Sequence, residues 1–248
     1  MEGARVIKGK SKPKKQDLER ELKFKLKDNS IEELSDTIGK LEDQMYVYAK
    51  DMEFETWIGD DDNSPFNTKI KEALSAFTAN GPETFFIHGN RDFLIGDLFA
   101  KDTGITILPD PFSFIIDEQK IVLSHGDFLC TDDVDYIAFR DEVRSKDWQT
   151  AFLSKSLDER LQIAASLRSD SKAATAEKSN EITDVNNEEV INFVSKHKPD
   201  LFIHGHTHRP NIHDVGSSKR IVLGDWGNYG WFLTFDNQEF NLEKFSIA

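Results

Sequence analysis

From residue 44 onward the apolar positions fall into short, dense runs, each broken off by a polar or glycine-containing turn. Short apolar runs between turn signals read as strands, and apolar positions three and four apart read as helices. On that rule MYVYA (45–49) is a strand, and residues 66–79 form a helix ending near Asn80-Gly81, a C-cap signal. TFFIHGN (84–90) is a strand running into a loop, and residues 93–103 are helical up to Gly104. FSFIID (112–117) and KIVLSHGD (120–127) make a hairpin, and DLFIHGHTH (200–208) is another strand opening into a loop. RIVLGDWG (220–227) and GWFLTF (230–235) close the chain as strands, while residues 134–197 are mostly helical and highly charged. Strands with helices outside them predict a layered α/β domain over 44–248, with the 134–197 block as an insertion or cap.

The first 43 residues follow a different pattern. Residues 5–15 are basic, poor in apolar side chains and interrupted by Pro13, which reads as a tail. Residues 17–27 and 31–43 look helical; Ile31, Leu34, Ile38 and Leu41 give the second an apolar face, with Ser30 and Glu33 placed as a capping box. No chemistry is visible in this segment, and a surface helix pair is the expectation.

Composition narrows the function classes. With 248 residues, 38% hydrophobic, the chain can bury a core. A net charge of −14 argues against nucleic-acid binding through phosphate contacts, so a polyphosphate ligand would need a metal or a local basic patch. Cys130 is the single cysteine, which rules out an internal disulfide and fits a reducing, cytoplasmic setting. No apolar run reaches the roughly 18 residues that span a bilayer, and the N-terminus lacks a signal-peptide core.

Three strands end in polar clusters of one kind. Asn90, Arg91 and Asp92 follow the first, His125 and Asp127 the second, and His204, His206 and His208 the third. Ligands in α/β sheets gather at the carboxyl ends of strands, so three such ends predict one shared site. Gly89, Gly126 and Gly205 permit the turns that aim these groups. Imidazole with amide and carboxylate oxygen suits Mn, Fe or Zn, and two such ions can activate a water for in-line attack on phosphorus. His88 and His204 are expected to pack behind their loops, whereas His206 and His208 alternate along an extended segment and so point to one side.

The ordered set GNRD, HGD, GHTH resembles the calcineurin-like metallophosphoesterases, whose fold is an α-β-β-α sandwich around a dimetal site. The longer strings WIGDDD (57–62), FFIHGNRDFL (85–94), SHGDFLCTDD (124–133), SKAATAEKSNEITDVN (171–186) and IHGHTHRP (203–210) resemble the UDP-2,3-diacylglucosamine diphosphatase branch of that family. The resemblance covers about residues 45–248. It implies manganese-dependent hydrolysis of a UDP-linked acylated sugar to UMP and a lipid sugar phosphate, by a metal-activated water. It implies that Asn90, His125 and His206 hold one metal and His208 the other, and that Asn90, Arg91 and His206 face the diphosphate. Asp133, Ser171, Thr175 and Lys178 would reach the substrate from the cap, where the family mostly has Asn at position 175. Phe139, Trp148, Phe152 and Leu153 are available to acyl chains. Lys155, Arg160, Arg168 and Lys172 are available as a basic face for peripheral contact with the cytoplasmic side of the inner membrane.

One part departs from the family. Its opening Asp-x-His strand has no counterpart, since no histidine precedes His88. Asp51 lies one residue too far from Trp57 to match the metal-bridging aspartate, so an ungapped match puts Met52 there; a bulge would restore Asp51. The chain could therefore hold two metals or one. It reads as a weakened relative, as one with an altered N-terminal sequence, or as one whose acidic groups in 16–55 fill in from another backbone path. A same-fold phosphoesterase with another substrate and a non-catalytic UDP-lipid-binding relative stay open as alternatives.

Overall fold

The computed structural model describes residues 57–176, 182–225, 227, 229–236 and 239–246. The expected helices at 17–27 and 31–43, the strand at 45–49 and Asp51 lie outside these residues. In chain order the elements are α1 (Pro65–Asn80), β1 (Phe85–Phe86), α2 (Asp97–Thr103), β2 (Thr106–Ile107), β3 (Phe112–Ile116), β4 (Gln119–Ser124), α3 (Val134–Val143), α4 (Lys146–Leu153) and α5 (Leu157–Ala176). They continue with α6 (Asn187–His197), β5 (Leu201–His204), β6 (Asn211–Val215), β7 (Ser218–Val222), β8 (Tyr229–Asp236) and β9 (Glu239–Ser246).

The largest sheet runs β3-β4-β5-β7-β6. Its middle strands β4, β5 and β7 are parallel, and β3 and β6 flank them antiparallel. A strand covered on both faces has no solvent side, which is why β5 is Leu-Phe-Ile-His with all four residues buried. On one face Val122 and Phe202 pack against Val190, Phe193 and Val194 of α6, the crossover helix that leads into β5. On the other, Ile121, Leu201, Ile203 and Ile221 pack against Leu233, Phe240 and Leu242 of the β8–β9 hairpin. Parallel β1 and β2 send Phe85 toward Phe112 and Leu108, and Phe86 toward the cluster built on α1 and α2. A central mixed sheet with helices packed against strands fits the expected α/β class.

Local chemistry moves several boundaries. Helix α2 begins at Asp97 rather than 93, because Asp92 Oδ1 takes the Gly89 N–H and the Asp92 carbonyl takes that of Ile95, folding 89–95 into a turn. Gly96 has no side chain to cap α2, so Asp60 caps it from a distance, accepting the N–H groups of Gly96 and Phe99 (3.0 Å each). Gly81 after α1 is extended rather than left-handed, whereas Gly104 after α2 is left-handed and closes onto Ala100 O. Strands β2, β6 and β9 were not expected; β6 is an edge strand whose polar residues hide the period of two, whereas Glu239-Phe240-Asn241-Leu242-Glu243 of β9 carries that alternation openly.

Candidate metal and phosphate site

The loops after β1, β4 and β5 meet at one end of the sheet. At Gly89 a Cβ would sit 3.3 Å from His125 Cε1, so the GNRD loop lies directly on the HGD loop. His125 Nε2 is 3.2 Å from His206 Nδ1. Burial, opposed by the carboxylate of Asp127, pushes the His125 ring down to about 3 and the His206 ring down to about 4. Both are neutral at pH 7 and carry lone pairs suited to a cation. The serine and backbone N–H of the HGD loop are held by Asp110, whose oxygens accept from Ser124 Oγ and the His125 N–H.

His206 reaches this point by a route other than strand alternation. Strand β5 ends at His204, and His206 (φ 61) and His208 (φ 54) both occupy the left-handed region. The tight backbone, not an extended one, turns them out of the sheet. His204 and His88 pack behind their loops: His204 is 1% exposed with Nε2 at 3.0 Å from Arg220 Nη1, and His88 Nε2 is 2.8 Å from Ile95 O. Gly126 has φ 96, and a Cβ there would lie 2.7 Å from His204 Nδ1. We expect Gly126→Ala to destabilise the fold by about 2 kcal/mol through backbone strain and this contact. A thermal melt indistinguishable from the parent's would contradict it.

Beneath the site lies a charge network absent from the sequence expectations. Asp127 is fully buried and forms ion pairs with Arg140 (2.9 Å) and Arg144 (3.0 Å), and accepts from Tyr136 Oη (3.2 Å). Burial alone would raise its carboxyl, but the charges of Arg144 and Arg140 and the hydrogen bond from Arg140 help hold it below the usual carboxylate range. Arg144 Nη2 also donates to Gly89 O (3.1 Å), so one guanidinium joins the HGD loop, the GNRD loop and helix α3. The spacing of Tyr136, Arg140 and Arg144 was the available signal, four residues apart on one helix face.

A cavity of about 670 Å³, counting its open mouth, adjoins the loops. Asn90, Arg91, Arg140, Arg144 and Arg168 supply its polar wall, and Phe93, Phe139, Trp148, Phe152 and Leu167 much of its apolar wall. Burial and the like charge of Arg168 lower the Arg91 guanidinium from its ordinary value. Ser171 also lines the cavity, whereas Asp133 caps α3 through the Tyr136 N–H (3.1 Å) and is not part of the wall. The Thr175 side chain and Lys178 lie outside the described residues. Leu153 is 41% exposed and does not line the cavity. Arg160 is 3% exposed and tied to Asp61, which removes it from any membrane-facing basic surface.

The calcineurin-like phosphoesterase family matches residues 31–210. The chain belongs to it. This phosphoesterase is 42% identical over 213 residues to a UDP-2,3-diacylglucosamine hydrolase of Tolumonas auensis, covering 84% of this chain and 85% of the relative. It is 44% identical over 181 residues to the protein of that name from Escherichia coli K12, covering 71% and 75%. Family membership implies a divalent metal. The neutral His125 and His206 fit one as a pair of donors, with Asn90 on the adjoining loop. Among the described residues no three His, Cys, Asp or Glu side chains converge into a complete ligand set. Among them, too, no helix is long and apolar enough to cross a membrane.

Proposed function

We propose that this phosphoesterase hydrolyses the diphosphate of UDP-2,3-diacylglucosamine, giving UMP and 2,3-diacylglucosamine 1-phosphate. The observation that carries the reading is a cavity wall of mixed chemistry: Arg91 and Arg168, with Arg140 and Arg144 paired to Asp127, beside aromatic and aliphatic side chains, in a chain of net charge −14. Such a wall suits a ligand that is anionic at one end and acylated at the other. The names of the relatives point to the same substrate. His125, His206 and Asn90 would hold one ion, with His208 toward a second, and manganese is the ion proposed. A bound divalent ion supplies Lewis acidity and an activated water. The chain's own part is to hold the phosphates. Arg91, beside Asn90 in the lining, offers a planar fork to phosphate oxygens, and Arg168, close enough for its charge to act on Arg91, adds a second cation. Helices α3, α4 and the first part of α5 act as the cap that keeps water from the acyl chains. A lipid substrate makes peripheral contact with the cytoplasmic face of the inner membrane part of the proposal, with Ser171, Thr175 and Lys178 as further substrate contacts.

The test is hydrolysis of UDP-2,3-diacylglucosamine with Mn present, for parent and Arg91→Lys. We expect UMP release by the parent and about a tenfold or greater loss of kcat/KM in the variant with its melting temperature unchanged, since Lys cannot reproduce a bidentate grip. Cleavage of simple phosphodiesters without the UDP-lipid would overturn the substrate.

A further inference from the structure

We propose that Arg160 is a positioning residue for substrate binding, fastening helix α5 to the 57–62 loop of the core so that the following turns of α5 wall the cavity. The guanidinium is almost fully occupied. Nη1 donates to Ile58 O (2.8 Å) and Asp61 Oδ1 (2.7 Å), Nη2 to Asp61 Oδ2 (2.5 Å) and Nε to Lys155 O (3.1 Å). The Arg160 side chain is 4% exposed while that of Asp61 is 59% exposed, so the cation is the buried half of the latch. The core loop is shaped to receive it: Gly59 has φ 135, and a Cβ there would lie 2.4 Å from Arg160 Nη1.

Helix geometry carries the effect to the cavity. Ala164, Leu167, Arg168 and Ser171 follow Arg160 on the same face of α5, and all four line the cavity. Behind them Leu157, Ile163 and Ala164 pack on Trp57, Ile58 and Phe152. A bidentate Arg–Asp pair fixes direction as well as distance. Without it α5 retains apolar contact but loses the register that places Arg168 and Ser171. The metal-site loops after β4 and β5 do not touch Arg160 among its described bonds, so chemistry on a small substrate should be indifferent to it.

The latch rests on the proposed substrate only for its kinetic readout. Arg160→Met is expected to raise KM for UDP-2,3-diacylglucosamine about tenfold with kcat within about twofold, the pattern of lost ground-state binding. Cleavage of bis-p-nitrophenyl phosphate should be unchanged, Arg160→Lys should fall between, and Ser166→Ala on the exposed side of α5 should match the parent. Hydrogen exchange of α5 amides should accelerate at least about tenfold while α1 keeps its protection. If Arg160→Met fails to fold, Asp61→Asn is read in its place, since it leaves the bonds to Ile58 and Lys155. Unchanged α5 exchange together with unchanged KM, or equal loss toward both substrates, overturns the latch. A parent enzyme that cleaves the small diester but not the UDP-lipid overturns the substrate instead, and α5 exchange then decides the latch alone.

Discussion

His206→Ala is expected to remove most of the bound divalent metal and to lower turnover at least about a hundredfold, since even residues behind a metal's ligands cost 10–100-fold when lost. The reason lies in the pair it forms with His125. The two ring nitrogens stand 3.2 Å apart on half-buried side chains, with no carboxylate among the described residues completing the ligand set. A depressed histidine pKa means the neutral, donating form persists as pH falls, and it is lost only near 3 for His125 and 4 for His206. Metal therefore has two ready lone pairs throughout the physiological range, and each ring carries a large share of the grip. His125→Ala should behave alike. Elemental analysis of the purified proteins checks both, and unchanged metal stoichiometry in the pair of variants would remove the metal assignment.

Asp127→Asn should cost about 3–5 kcal/mol of stability, the usual penalty for breaking a buried ion pair by removing one partner. Asp127 is the sole carboxylate in contact with both Arg140 and Arg144 in the ion pairs described, and all its surface is buried. The amide would leave two guanidinium groups facing each other without a counter-charge. At roughly 2–4 °C per kcal/mol for a chain of this size, the melting temperature should fall about 10 °C. Activity should fall further than the unfolded fraction explains, because Arg144 also holds the Gly89 carbonyl and with it the loop bearing Asn90 and Arg91. Melting and kinetics at a temperature where the variant is folded separate the two effects. A melt within a degree of the parent's would show that the network is dispensable.

The sequence displayed the backbone of the site because its carriers are strand ends. Apolar runs stopping at Gly-Asn, His-Gly-Asp and Gly-His-Thr-His declare where a sheet opens, and the parallel pairing of β4 with β5 brings two of those stops together. What holds the stops in place was not legible. Arg140, Arg144 and Arg160 sit in a charge-rich stretch, where a cation ordinarily reads as a solvated face; only their partners Asp127 and Asp61, in distant segments, show otherwise. Asp60 was one of three consecutive aspartates, and nothing local distinguishes the one that caps α2 from the one that pairs with Arg160. The hairpin of β3 and β4 followed from local turn chemistry, whereas β2 is two residues long and exists only because β1 lies beside it.

The left-handed backbone at His206 and His208 bears on how this loop can change over generations. A side chain in that region costs roughly 1–2 kcal/mol that glycine avoids. Any search that rewards folding alone, whether by drift under relaxed selection or by stability-guided redesign, would push both positions toward glycine and erase the imidazoles. Their presence in a conformation they disfavour is thus the mark of a loop kept for its chemistry.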